Sequence, residues 1–213
     1  MASVLPLLKP LLTIAVVHLL AAMSPGPSFI AVSRISLASG RQAGLASALA
    51  CGLGVLPWAI GAVLGLVIVL TQAPWLYMVL KAAGGFYLLY LAGMAWKHAS
   101  LPIDVDGAAP RQSLGNAFQQ TFLIQITNPK VAIFFSAIFV SVLPPDPPLW
   151  MVATILVIVF VNEAAWYAVV ALGMSAPRPR ALYLRMKPVL DKGMGAVLGA
   201  FGMKLLADAV RGA

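Results

Sequence analysis

The hydrophobic positions of this chain fall in long, nearly unbroken runs, and their lengths are those a lipid bilayer demands. A helix rising 1.5 Å per residue needs about 20 mostly apolar residues to cross about 30 Å of hydrocarbon. Ala43 to Leu70 meets this with no charge anywhere in it, Pro74 to Trp96 is interrupted by Lys81 alone, and Leu149 to Met174 by Glu163 alone. Val189 to Leu206 is a fourth such run, with Asp191, Lys192 and Lys204 near its ends, where long side chains can snorkel to water. Leu5 to Ser39 and Leu114 to Leu143 are each too long for one simple span, and each is broken by proline in its middle. The pattern predicts an all-α, polytopic membrane protein of about six transmembrane helices.

The connections agree with that division. Thr71-Gln72-Ala73-Pro74 is short and neutral, and Ser100 to Arg111 is a polar stretch carrying Asp104, Asp106, Pro102 and Pro110. Pro144-Pro145-Asp146-Pro147-Pro148 cannot continue a helix, because proline lacks the donor and clashes with the preceding turn. Ala176 to Pro188, with three prolines and four cations, reads as a further loop. Trp75, Trp96 and Trp150 stand at predicted span ends, as in an aromatic belt.

Composition sharpens the class. Of 213 residues 62% are hydrophobic and 9% charged, with mean hydropathy +0.96, whereas a soluble domain carries about 25% charged residues to meet water. Met1 to Met23 could pass for a signal peptide, with Lys9 ahead of an apolar stretch, but no polar mature domain follows, so it is taken as the first membrane helix. The net charge of +8 is explained by topology rather than by nucleic acid: Arg34, Arg41, Lys97, Arg111, Arg178, Arg180, Arg185 and Lys187 fall in alternate loops, which would face the cytoplasm. Six spans with both termini outside satisfy that rule. Cys51 is the one cysteine, which excludes a disulfide or dithiol relay within the chain.

The two halves echo each other at a spacing of about 104 to 110 residues. Pro25 and Pro129 break the two long segments; Trp58 with Leu64-Gly65 recurs as Trp166 with Leu172-Gly173; Leu80, Gly85 and Leu88 recur as Leu190, Gly195 and Leu198. A single transporter domain over 1–213 is expected, with repeat one at about 1–98, a cytoplasmic linker at 99–111 and repeat two at about 112–213. A repeat of three spans must insert its second copy upside down, so the halves are expected to be inverted repeats with proline-broken first and fourth helices around a central site.

Candidate chemistry gathers at the breaks. In Ser24-Pro25-Gly26-Pro27-Ser28 two prolines remove two backbone donors, leaving carbonyls that hydrocarbon tolerates only when they are buried in protein or line a wet cavity. Thr127-Asn128-Pro129-Lys130 puts an amide and a cation beside the second break, where Lys130 could bind a carboxylate or pair with Glu163. Glu163 is the one acidic residue deep in the predicted membrane; it could contact a substrate ammonium, exchange a proton, or form a structural pair with Lys130. Gln125 is the glutamine of its span expected near the cavity, Lys81, one or two turns inside its span, could as well snorkel as take a role, and His18 reads as a helix–helix hydrogen bonder. Gly52, Gly61, Gly65, Gly84, Gly195, Gly199 and Gly202 read as close-packing positions, which would permit a homodimer. Two histidines and one cysteine cannot assemble a usual zinc or haem site, and no paired carboxylates or phosphate loop occurs, so no metal, no cofactor and no enzyme activity are expected.

Met23-Ser24-Pro25-Gly26-Pro27 followed by Ser39-Gly40-Arg41-Gln42-Ala43-Gly44 resembles the LysE/RhtB family of bacterial amino-acid exporters. Leu80-Lys81 with Gly84-Gly85 and Tyr87-Leu88, and Phe122-Leu123 with Asn128-Pro129-Lys130, are similar to that family's later motifs. The resemblance runs in order along essentially the whole chain. It implies an exporter in the bacterial cytoplasmic membrane that moves amino acids or close derivatives outward, driven by the proton gradient, with functional weight on Pro25, Gly26, Pro27, Asn128, Pro129 and Lys130. Together with the residues themselves it makes Ser24, Pro25, Gly26, Pro27, Gln125, Asn128, Pro129 and Lys130 candidates for substrate binding or gating, and Glu163 the candidate for proton coupling. The rival from another class is a membrane scaffold or assembly subunit with no transport cycle, against which the mid-membrane charges argue. Cysteines placed at Ser175 and at Asp146, in a Cys51→Ala background, should react with an impermeant reagent from opposite sides of the membrane; labelling of both from one side would refute the six-span parse.

Overall fold

In the computed structural model residues 5–72, 74–101, 110–144 and 146–211 are described. Among them are seven helices and no strand: α1 (Leu5–Met23), α2 (Pro27–Gln72), α3 (Pro74–His98), α4 (Leu114–Ile126), α5 (Pro129–Val142), α6 (Leu149–Met174) and α7 (Pro177–Val210). Pro27, Pro74, Pro129 and Pro177 each open a helix. The first helical residue has no use for its N–H and is suited by a fixed φ near −65°, so the residues that end one helix also start the next. Ser113 begins α4 differently, its hydroxyl accepting from the Asn116 amide at 3.2 Å.

Pro27–Leu66, Met78–His98, Leu149–Met174 and Ala181–Val210 are long and apolar enough to cross a membrane. Leu114–Ile126 and Pro129–Phe139 are bent by 51° and meet the same test as a pair, while Leu7–Met23 is a shorter apolar helix. The protein is thus an all-helical polytopic membrane protein. Large apolar side chains cover its outside, among them Leu12, Leu64, Phe86, Val157 and Val189. Its interior holds Ile14 and Val17 of α1, Val55 of α2, Leu88 of α3, Phe135 and Ile138 of α5, Ile155 and Val159 of α6 and Leu198 of α7.

Several sequence expectations are corrected here. Within α2 the helix is interrupted at Gly40, so the span expected at Ala43 to Leu70 is its second limb, while the first limb, from Pro27, follows the proline break. Gly40 has φ 82°, a conformation that a side chain would strain. The stretch Ala176 to Pro188 is not a loop, since α7 starts at Pro177 and carries Pro188 inside it. Lys187 is buried there, its ammonium 2.8 Å from the Asp191 carboxylate and donating to the His98 and Ala99 carbonyls at 2.7 and 3.1 Å. It therefore closes the C-terminal end of α3 rather than standing free in a loop. Lys81 is buried within the bundle rather than snorkelling. Of the acidic linker, residues 102–109 lie outside the described residues, as does Pro145, and so does the Trp75 side chain. Trp96 and Trp150 are exposed near helix ends, Trp96 donating to the Lys192 carbonyl at 3.0 Å.

The helices pack most closely as α2 on α6 and α3 on α7. A Cβ built on Gly85 would lie 2.8 Å from Leu206 and 3.1 Å from the Gly202 carbonyl; one built on Gly195 would meet Trp96 at 2.1 Å and the Ala92 carbonyl at 3.0 Å. Gly85 of α3 and Gly195 of α7 thus each admit the other helix's backbone. Gly52 and Gly84 do the same against α6 and α5, but Gly61 and Gly65 face open space and are not packing positions. Gly202→Ala would set its methyl 2.8 Å from the Gly85 carbonyl oxygen. It should cost about 1–3 kcal/mol in overpacking, read as earlier thermal unfolding in detergent. Gly93→Ala, on the open face of α3, should unfold no earlier than the parent protein.

Candidate functional site

The site begins with a backbone defect. In an uninterrupted helix the Ala21 carbonyl would accept from residue 25, but that residue is Pro25 and has no N–H. The α1 helix stops at Met23, and its open C-terminal carbonyls lie in the middle of the bundle with the partial negative charge of a helix end. Lys130 fills this position. Its ammonium donates to the Ala21 carbonyl at 3.1 Å and to the Ser24 carbonyl at 2.8 Å.

Lys130 is held by the second break. Asn128 caps α5, its side-chain oxygen accepting from the Lys130 amide at 3.1 Å, and Pro129 is the first helical residue. A cation in the first turn is poorly placed for its own helix, so it is stabilised by reaching the opposite-signed end of α1. The two breaks lock into each other through one side chain. Nothing in the spacing of the sequence distinguished this from the expected pairing of Lys130 with Glu163.

Glu163 has other partners. It lies on the buried stripe of α6, four residues after Val159 and four before Tyr167. One carboxylate oxygen accepts from the Gln125 amide at 2.6 Å, and the other is 3.3 Å from His18 Nε2. Gln125 is fully buried; its side-chain oxygen accepts from the Ser28 hydroxyl, which in turn accepts from the Asn128 amide at 3.3 Å. A continuous line of donors therefore runs from Asn128 through Ser28 and Gln125 to Glu163, with His18 closing it from α1. Every member is on a different helix or at a helix cap, so none of the line could be read from local spacing.

Two spaces adjoin this line. A cavity of about 830 Å³ is walled by both breaks, Ser24 to Pro27 and Asn128 to Lys130, together with Arg34, Tyr87, Tyr90 and the Lys187–Asp191 pair. A chamber of about 30 Å³ lies against His18, Ser28, Gln125, Glu163 and Tyr167. Gly26, Asn128 and Lys130 line both.

The structure thus brings all nine sequence-derived candidates to one region: Ser24, Pro25, Gly26, Pro27, Asn128, Pro129 and Lys130 on the large cavity, and Gln125 and Glu163 on the chamber. Sequence reasoning missed Ser28 as a member of the line, although it stands in the Pro-Gly-Pro segment; His18, read as a helix–helix hydrogen bonder, does reach from α1 to Glu163 of α6. Tyr167 was visible only as a residue one turn beyond Glu163. No group of three or more His, Cys, Asp or Glu able to hold a metal is found among the described residues.

Comparison with known proteins places this geometry. The sequence model of the LysE type translocator matches residues 19–209. The threonine efflux protein of Escherichia coli K12 is 31% identical over 198 residues, covering 92% of this chain and 96% of that protein. The threonine efflux protein of Salmonella typhi is 29% identical over 197 residues, covering 91% and 96%. The homoserine/homoserine lactone efflux protein of Salmonella typhimurium is 31% identical over 131 residues, 61% of this chain and 62% of its own. No solved structure matches the chain significantly.

Removing the Lys130 ammonium tests the link between the breaks. In Lys130→Ala the two carbonyls face the adjoining cavity, where water can take them over, so stability should fall by no more than about 1–2 kcal/mol. Solute movement through vesicles holding the folded variant should drop to background. Full transport by folded Lys130→Ala would leave the lysine a purely structural clamp.

Proposed function

Since the chain belongs to the family of LysE type translocators, we propose that it is a secondary exporter, moving amino acids or close derivatives out of the bacterial cytoplasm across the inner membrane in exchange for protons. Membership of that family makes it a transporter and not an enzyme. The observation that carries the mechanism is that both proline breaks open onto one cavity of about 830 Å³. The N-terminal ends of α2 and α5 lie at its wall, Pro27 and Pro129 being their first residues. Helix N-termini favour anions, and half-helix ends of this kind receive substrate carboxylates in other transporters. In this reading the substrate carboxylate sits at those ends and draws the Lys130 ammonium away from the Ala21 and Ser24 carbonyls. The named relatives make L-threonine and L-homoserine the first solutes to try.

The membrane arrangement we propose has six spans. A helix of 46 residues would be about 69 Å long, over twice the hydrocarbon thickness. Dividing it at Gly40 lets α1 and the start of α2 form one broken span and the rest of α2 a second. Then α3, the broken pair α4–α5, α6 and α7 complete the set, with both termini outside. Support for two inverted halves, 1–98 and 112–213 about a linker at 99–111, comes from reciprocal packing. Gly85 meets Gly202 and Leu206, while Gly195 meets Ala92 and Trp96. Each contact becomes the other when the halves are exchanged at the same sequence spacing.

Glu163 is the coupling carboxylate in this reading. It is buried, reached by two donors, and adjoins a space that shares Lys130 with the substrate cavity. One charge crossing 100 mV is worth about 2.3 kcal/mol, enough for a large concentration ratio. Purified protein in vesicles should exchange labelled L-threonine or L-homoserine at equal pH and drive it uphill when a pH gradient is imposed. Glu163→Gln keeps the hydrogen bonding and removes the titration, so it should retain exchange and lose the uphill component. Uphill transport by that variant would exclude Glu163 as the coupling site, and loss of both activities in a folded protein would make it a substrate ligand.

A further inference from the structure

The chamber of about 30 Å³ is too small for an amino acid, and its walls are unlike those of a packing defect. Its volume is about one water molecule's share of the liquid, and a space that size holds water when several polar groups face it. His18, Ser28, Gln125, Asn128, Lys130 and Glu163 all do. His18 is 2% exposed, and its Nδ1 is buried with no partner. A buried nitrogen left in that state costs free energy unless a water or a proton completes it. Its Nε2 lies 3.3 Å from the Glu163 carboxylate, and Phe134 and Phe135 cover the ring, with centroids at 5.9 and 5.2 Å. The imidazole therefore stands with one nitrogen on the carboxylate and the other without a partner, in a ring at the wall of a water-sized space. A side chain needed only to hold two helices together has no use for the second nitrogen.

We propose that His18 carries the proton to and from Glu163, using a water in this chamber as the donor and acceptor on its far side. This rests on the reading of Glu163 as the coupling carboxylate. To load the site, a chamber water gives a proton to Nδ1 while Nε2 gives its own proton to the Glu163 carboxylate oxygen. Glu163 gains one proton, the water takes a replacement from the solution that the cavity faces so that no hydroxide is left, and the ring changes tautomer while staying neutral. Unloading is the same transfer in reverse when the cavity faces the other side of the membrane, so the ring is reset in each cycle and one proton is carried.

Other groups face the pair. Lys130 comes from α5, Tyr167 from α6, and Cys51 of α2 is within electrostatic reach of Glu163; α4 brings the uncharged Gln125 and α2 also Ser28. From α7, Asp191 acts on Lys130 rather than on the pair directly. Gly26, Asn128 and Lys130 form the wall between chamber and cavity. Movement of the Lys130 ammonium toward a substrate carboxylate thus changes the field at the proton site, which is the linkage an antiporter requires.

The experiment compares wild type, His18→Gln and Glu163→Gln in vesicles, with labelled L-threonine or L-homoserine, over a range of pH. His18→Gln keeps a hydrogen bonder on Glu163, so a structural histidine predicts an unaltered pH profile. The proposal predicts that uphill export falls at least about tenfold, or that its pH midpoint moves by about one unit or more. A wild-type profile in His18→Gln beside lost uphill export in Glu163→Gln overturns the role of His18 and leaves Glu163 in place. Uphill export by Glu163→Gln overturns both. Should His18→Gln not fold, the chain's two histidines, His18 and His98, allow a direct reading on the wild type. With ¹⁵N-labelled histidine, and His98→Gln to assign the signals, the His18 ring should change tautomer or protonation within the pH range over which export changes. A ring fixed in one state across that range overturns the proposal.

Discussion

A backbone carbonyl deprived of its helical partner inside a membrane has to find a donor within the protein, and the rest of this architecture follows from where that donor comes from. Pro25 withholds the N–H that Ala21 would have used in a continuing helix; the Ser24 amide turns back to that carbonyl at 3.2 Å, and Lys130 adds its ammonium at 3.1 Å. The ammonium belongs to the other half of the chain, at a break of the same kind. Lipid offers no donor, so these carbonyls are turned to protein and to the enclosed spaces that Ala21 and Ser24 line. The two breaks are consequently bound to occur together at the centre, and the helices around them are arranged to enclose both.

Enclosing two helix breaks brings four helix ends into one place. The C-terminal ends of α1 and α4 and the N-terminal ends of α2 and α5 present dipoles of both signs to a single region. That region also holds the polar line from Asn128 to Glu163 and His18. Burying a carboxylate without partners would be prohibitive. Here each of its oxygens has one, and the Lys130 ammonium is occupied with carbonyls. Lys130 and Glu163 are therefore two adjacent sites of opposite character rather than a neutralised pair. In the proposed cycle that separation would leave the cation to an anionic solute and the carboxylate to a proton.

The glycines of α3 and α7 serve this centre from a distance. Their missing side chains let the two helices approach to backbone contact, with Gly202 against the Gly85 carbonyl. The pair forms a firm wall on one side of the cavity, closed at one end by Lys187 bonded to the end of α3. On the other side, α2 and α6 meet through Gly52 and Ala164, which holds the buried stripe of α6 against the polar line. The shape of the cavity thus depends on small residues far from its charges.

What the sequence determined by itself was whatever depends on local solvent and backbone chemistry. Apolar length set the membrane class, and α6 was read at its observed bounds, Leu149–Met174, because a lone run of apolar residues admits one helix. Proline located both breaks, since the missing N–H is a property of the residue and not of its surroundings. The same reasoning failed at Ala176 to Pro188, where proline opens a helix instead of ending one, whereas the division placed between Ser39 and Ala43 coincides with the kink at Gly40. The tertiary structure alone decided who partners whom. Lys130 meets residues 106 and 109 positions away, and Gln125 meets Ser28 and Glu163 at separations of 97 and 38. Such pairings depend on which faces the helices turn toward each other, and no spacing along one helix encodes that. His18 shows the limit most plainly. A histidine in an apolar run looks the same in sequence whether it faces lipid, a neighbouring helix or a carboxylate, and only the packing of α1 on α6 distinguishes them.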